Sequence, residues 1–84
     1  MTVYVDDLRT WNGRSWCNLV ATNESELDMF AMLKLGLRPK WRQSTGGYLH
    51  YDLRPALREV ALRRGAKYIP TEELLKRVRG RRET

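Results

Sequence analysis

Tyr48-Leu49-His50-Tyr51-Asp52-Leu53-Arg54-Pro55 changes its period partway along. Residues 48–53 alternate, with Leu49, Tyr51 and Leu53 on one side and Tyr48, His50 and Asp52 on the other, as in a half-buried strand. Pro55 has no N–H to give a sheet ladder. It suits the first turn of a helix, where that N–H would lack an intrahelical acceptor. Residues 55–64 then put Leu57, Val60 and Ala61 on one stripe and stop at Gly65. A strand running straight into a helix is a building unit of α/β and α+β layers.

Upstream, Val3-Tyr4-Val5 reads as a first strand that ends at Asp6-Asp7. Residues 9–14 read as a loop, with a tight reversal at Asn12-Gly13 because both residues tolerate positive φ. Residues 16–21 read as a second strand, with Cys17, Leu19 and Ala21 on one face and Trp16, Asn18 and Val20 on the other. Thr22-Asn23-Glu24-Ser25 supplies N-cap candidates for a helix to about Leu35. Its stripe is Leu27, Phe30, Ala31 and Lys34, and Gly36 stands where a C′ glycine belongs. A polar stretch, residues 38–47, follows. Downstream, Lys67-Tyr68-Ile69 reads as a short strand. Thr71 can cap a last helix whose acids Glu72 and Glu73 precede its bases Lys76, Arg77 and Arg79.

The order is β-β-α-β-α-β-α. It predicts a single α+β (or α/β) domain over residues 1–79, with a small mixed sheet and helices on one or both faces. Residues 80–84 read as a frayed basic tail. The 84-residue length excludes a multi-domain enzyme or a solenoid, and 42% hydrophobic content with three Trp and four Tyr argues against disorder. A lone cysteine, Cys17, allows no internal disulfide. The start is acidic where a signal peptide is basic, and the longest apolar run is only residues 29–33. These features predict a reduced, cytoplasmic protein with no membrane span. One Cys and one His, His50, do not make a Cys/His zinc cluster.

Three features carry the set Val3-Tyr4-Val5-Asp6-Asp7, Trp41 in a basic stretch, and His50-Tyr51-Asp52 ahead of an Ala/Leu/Arg-rich helix. In this order and spacing the chain resembles the small bacterial and phage family named domain of unknown function 4031. The likeness runs from Thr2 to about Arg79 and includes a Gly-Ala step before the last strand, here Gly65-Ala66. Relatives tend to have Ser capping the helix after the triplet. This chain has Arg54-Pro55 instead, which puts serine-assisted chemistry there in doubt. The resemblance implies where a site lies and brings no reaction with it.

His50 and Asp52 share a strand face at the strand's carboxyl end, where open sheets hold ligands. Histidine can exchange a proton near neutral pH, with Asp52 orienting it, so both are catalytic candidates with Asp7. Arg54 and the following helix N-terminus suit a phosphate. In the plainer reading Asp52 caps that helix and His50 is a satisfied half-buried residue. Asp6, Asp7 and Asp52 are candidate oxygen ligands for Mg²⁺ if the first strand and the His50 strand run parallel as neighbours. Otherwise Asp6 and Asp7 are turn formers beside Arg9 or Arg14. Trp11, Arg14 and Trp16 in or beside the first loop, and Arg38, Lys40, Trp41 and Arg42 in the second, are candidate phosphate and base contacts, Trp41 and Arg42 as a lid. Trp16 and Trp41 are otherwise core or lid residues. Cys17 alternates with core residues and reads as a buried inert thiol.

The net charge of +6 is uneven. Residues 1–42 hold six basic and five acidic groups, residues 43–84 ten and five, so the halves carry +1 and +5. Such a surface attracts polyanions, and neutralising about five phosphates would give a log–log salt slope near −4 to −5. The leading expectation is therefore a binding module for a phosphate-bearing ligand, a nucleotide or nucleic acid. A metal-dependent phosphodiesterase using Asp6, Asp7, His50 and Asp52 is the second. A protein-interaction or regulatory module, such as a phage factor acting on a host component, or a homo-oligomer, is the third.

Overall fold

The computed structural model describes residues 2–82, and the side chains of residues 2–78. The chain folds as β1 (Val3–Val5), β2 (Arg9–Trp11), β3 (Arg14–Ala21), α1 (Glu24–Leu35), β4 (Tyr51–Leu53), α2 (Pro55–Arg63), β5 (Lys67–Tyr68) and α3 (Thr71–Arg82). Short 3₁₀ turns at Pro39–Trp41 and Thr45–Gly47 lie between α1 and β4. This is an α+β domain with a mixed five-stranded sheet.

β3 is the central strand. Leu19 pairs with Val5 of β1 on one edge and with Tyr51 of β4 on the other, both antiparallel. β5 then adds parallel to β1. β1 and β4 therefore run parallel to each other but are separated by β3. α2 makes the crossover from β4 to β5, as parallel strands require.

The expected element order gains one strand, β2. Asn12 and Gly13 have φ of 54° and 77°, the doubly positive geometry of a two-residue hairpin turn. Arg9, Thr10 and Trp11 accordingly pair with Trp16, Ser15 and Arg14 instead of forming a loop. Between Val5↔Leu19 and Arg9↔Trp16, the residues Asp6, Asp7 and Leu8 face only Cys17 and Asn18. That one-residue excess makes a bulge, and Asp6 sits in it.

The alternation read from the sequence is carried through. Cys17, Leu19, Ala21, Tyr51 and Leu53 turn to one face and pack with Leu27 and Ala31 of α1 and Ala61 of α2. Leu57 and Leu62 join that core; Val60, expected in the stripe, is half-buried outside it. Val20 turns to the opposite face and packs with Ile69, Leu74 and Val78, flanked by Tyr4 and Tyr48. So α1 and α2 cover one face and α3 covers part of the other. Asn23 caps α1 through Glu26 N–H, and Gly36 closes it in the left-handed conformation at φ 69°. β4 is shorter than the strand expected over residues 48–53: His50 makes only an isolated bridge to Gln43.

Thr71, expected as the cap of the last helix, is its first residue and is itself held. Its N–H donates to Asp7 Oδ2 (3.2 Å) and its hydroxyl to Asp6 Oδ2 (2.9 Å). Of the tail expected over residues 80–84, residues 80–82 continue α3 and residues 83–84 lie outside the described residues.

Candidate functional site

The face of the sheet that α3 leaves open lies at the hairpin end. Register sets what stands there. Arg9 pairs with Trp16, Trp11 with Arg14, and Asn18 with Asp52. Residues 14, 16 and 18 share the face of Val20, opposite the α1–α2 core. A cleft of about 430 Å³ results, lined by Arg9, Thr10, Trp11, Trp16 and Asp52. Arg54 closes one side: its guanidinium carbon is 5.2 Å from the Trp16 ring centroid, and Nη1 donates to Ser15 O at 3.3 Å. Trp11 is 71% exposed, while Trp16 is half-buried.

Asp52 does not cap α2. Its N-cap, Arg54, makes no side-chain cap bond, and Asp52 points away from the core. Among the described residues no donor hydrogen-bonds the Asp52 carboxylate; the nearest is His50 Nε2 at 3.7 Å. His50 is only 4% exposed and stands behind it, with its ring 4.7 Å from that of Tyr48. Its Nδ1 lies 3.1 Å from the Tyr48 carbonyl oxygen, which can only accept, so Nδ1 carries a proton. In the neutral ring Nε2 is then the basic nitrogen, turned to Asp52.

The carboxylates of Asp6 and Asp7 are engaged elsewhere. Asp6 is fully buried, and it accepts Asn18 N–H (2.6 Å), Asn18 Nδ2 (3.0 Å) and the Thr71 hydroxyl. It replaces the ladder acceptor that the bulge removes. Asp7 accepts the Tyr68 hydroxyl at 2.6 Å and the Thr71 N–H, and these bonds hold its pKa below the ordinary 3.8. The same bond raises the pKa of Tyr68. Across β3, Asp6 and Asp52 stand two strand spacings apart, roughly 9–10 Å. The parallel-neighbour arrangement that would join Asp6, Asp7 and Asp52 around Mg²⁺ is absent, and the described residues include no group of three or more Asp, Glu, His or Cys placed to hold a metal.

Arg42 and Trp41 do not stand over the cleft either. Arg42 Nη1 bonds Asp28 at 2.5 Å and Glu24 at 3.1 Å, both on α1, across the sheet from Asp52. Asp28 also accepts the Tyr51 hydroxyl at 2.7 Å; burial and this bond push the Tyr51 pKa up to about 12. The Arg42 cation thus neutralises a carboxylate anchored under the core, and half-exposed Trp41 sits in the turn it fastens. Cys17 is fully buried, and burial with the nearby Asp6 charge lifts its pKa to about 12, as an inert thiol requires.

The structure therefore brings Asp52, Arg54 and Arg14 to one face, with His50 behind, and leaves Asp6, Asp7, Trp41 and Arg42 outside. Arg9 and Thr10 line the cleft beside Trp11, and reading residues 9–14 as a loop had hidden them. The signal for them was the Asn12-Gly13 pair, since a two-residue hairpin fixes the register of both arms.

With this geometry in place, the comparisons place the chain. It belongs to the family described as a protein of unknown function, DUF4031, whose model matches residues 3–81. No curated protein and no solved structure matches it. None of the described helices is long and apolar enough to cross a membrane.

Proposed function

We propose that the open sheet face binds a nucleotide unit, free or within a single strand. One juxtaposition supports this reading. Two indoles, Trp11 and Trp16, share the cleft with Arg9, Arg14 stands in register with Trp11, and Arg54 lies over Trp16. An indole offers a base a stacking surface, and a guanidinium offers phosphate a bidentate fork. None of the three arginines forms an ion pair with a carboxylate among the described residues, so their charge is open to an anion.

The test is a fluorescence titration with a short mixed-sequence single strand and the four nucleoside monophosphates at low salt. Binding quenches tryptophan. Trp16→Ala and Trp11→Ala each weaken binding by about 1–3 kcal/mol, the value of one stacked base. Absence of binding to every member of the panel at low salt overturns the reading.

A further inference from the structure

We propose that the nucleotide unit this face takes is guanine-bearing, and that Asp52 selects it. This rests on the nucleotide reading above and adds the identity of the base. The rest of the cleft lining is Arg9, Trp11, Trp16 and the neutral Thr10, so Asp52 is its one anion. Its carboxylate is 43% exposed and accepts no hydrogen bond among the described residues. Two acceptor oxygens facing a ligand site call for a ligand edge with two adjacent donors.

Among the bases only guanine presents that edge, N1–H beside N2–H₂. Adenine and cytosine set one amino donor next to a ring acceptor, whose lone pair repels the carboxylate. Uracil sets N3–H between two carbonyls. Bases of single strands are read on these Watson–Crick edges while stacked on aromatic side chains. The sheet places the two parts suitably. Asn18 pairs with Asp52 across β3 and β4, which makes Asp52 the diagonal neighbour of Trp16, roughly 7–8 Å away. That span fits a ring lying on the indole and one hydrogen bond beyond its edge. His50 stands behind Asp52, its ring fixed by the Tyr48 carbonyl and its Nε2 3.7 Å from Oδ1.

The experiment compares GMP, IMP, AMP, CMP and UMP on the wild-type chain and on Asp52→Asn. IMP keeps N1–H and lacks the 2-amino group, so it dissects the edge without altering the protein. The expected order is GMP tightest, IMP between, and AMP, CMP and UMP weaker than GMP by roughly ten- to hundredfold, the span of one bidentate pair. Asp52→Asn abolishes the preference, so that GMP no longer binds more tightly than AMP. Far-UV circular dichroism confirms that the variant folds. A second arm uses single strands with G or A at the central position; the same preference there extends the selection to strands, and its absence confines it to the free nucleotide. Equal binding of all five nucleotides overturns the guanine assignment and leaves the nucleotide reading standing. A GMP preference that survives Asp52→Asn overturns the role of Asp52. Failure of every nucleotide to bind removes both.

Discussion

Asp6 shows how one side chain can set the position of several elements. The bulge between β1 and β2 takes a backbone acceptor away from Asn18, a residue only 1% exposed. Asp6 Oδ1 supplies the missing acceptor at 2.6 Å, and Oδ2 holds both the Asn18 amide and the Thr71 hydroxyl. Arg58 Nε, on α2, donates to the Asp6 carbonyl at 2.9 Å. One residue thus ties the central strand to helices on both sides of the sheet. Asp6→Ala leaves buried donors unpaired, and each costs about 1–3 kcal/mol. Asp6→Asn keeps one acceptor and turns an N–H₂ group toward other donors. We expect either variant to lose about 2–4 kcal/mol in urea unfolding, near the cost of breaking a buried charged network. A loss below about 0.5 kcal/mol would mean that the bulge finds its acceptor elsewhere. Asp6 was read from the sequence as a metal ligand or a turn former. Its actual role depends on partners 12 and 65 positions away, which no local pattern reveals.

At the scale of elements, α3 packs Leu74 and Val78 against Val20, and its first turn is pinned by hydrogen bonds to carboxylates. Asp7 accepts the Thr71 N–H and the Tyr68 hydroxyl, so an acid near the chain start caps a helix near its end. These bonds depress the Asp7 pKa, so their contribution to stability is present above pH 3.8 and is lost as the pH falls through the lower folded value. Tyr68 carries the opposite sign: its raised pKa means the bond persists below pH 10 and is lost as the hydroxyl ionises. Asp7→Asn should therefore be less stable than wild type at neutral pH, with the gap closing below pH 3.8; urea midpoints measured from pH 2 to 7 check this, and a constant gap would refute it. The sequence did disclose α1 with its Asn23 cap and Gly36 stop, and the two faces of β3 and β4, because these follow from capping chemistry and a period of two. It hid β2, because Arg9, Thr10 and Trp11 are all exposed and carry no apolar alternation. It also hid the order of the strands, which is set by pairing across distant residues and by the Asp6 bulge. Of the candidate residues, Asp52, Arg54 and Arg14 do stand together on the open face, as strand alternation and the strand-to-helix junction suggested. Arg42 was misplaced because the acids that claim it, Glu24 and Asp28, lie one turn apart on a helix whose docking the sequence does not specify.

For the whole molecule, the question is which part of the +6 charge meets a ligand. The sequence put most of the excess in residues 43–84, on the last two helices and the tail. The fold distributes it differently. Arg77 and Lys76 of α3 pair with Glu73 and Glu72 one turn earlier, Arg58 lies 3.9 Å from Glu59, and Arg42 is held by α1. Arg9 and Arg14 come from the half that is nearly neutral, yet they join Arg54 on the open face. A nucleic acid gripped at that face alone meets three arginines, whereas one lying on the basic surface as a whole meets a charge near six. Counterion release separates the two. For a single strand the slope of log affinity against log salt is about −0.7 per phosphate neutralised, so the face alone gives about −2 and the diffuse surface about −4. We expect a slope near −2 for a short single strand, measured by fluorescence anisotropy across a salt series. Replacing Arg9, Arg14 and Arg54 together by Gln should bring it close to zero. A slope near −4 that survives those replacements would move binding off the cleft and onto the helical surface.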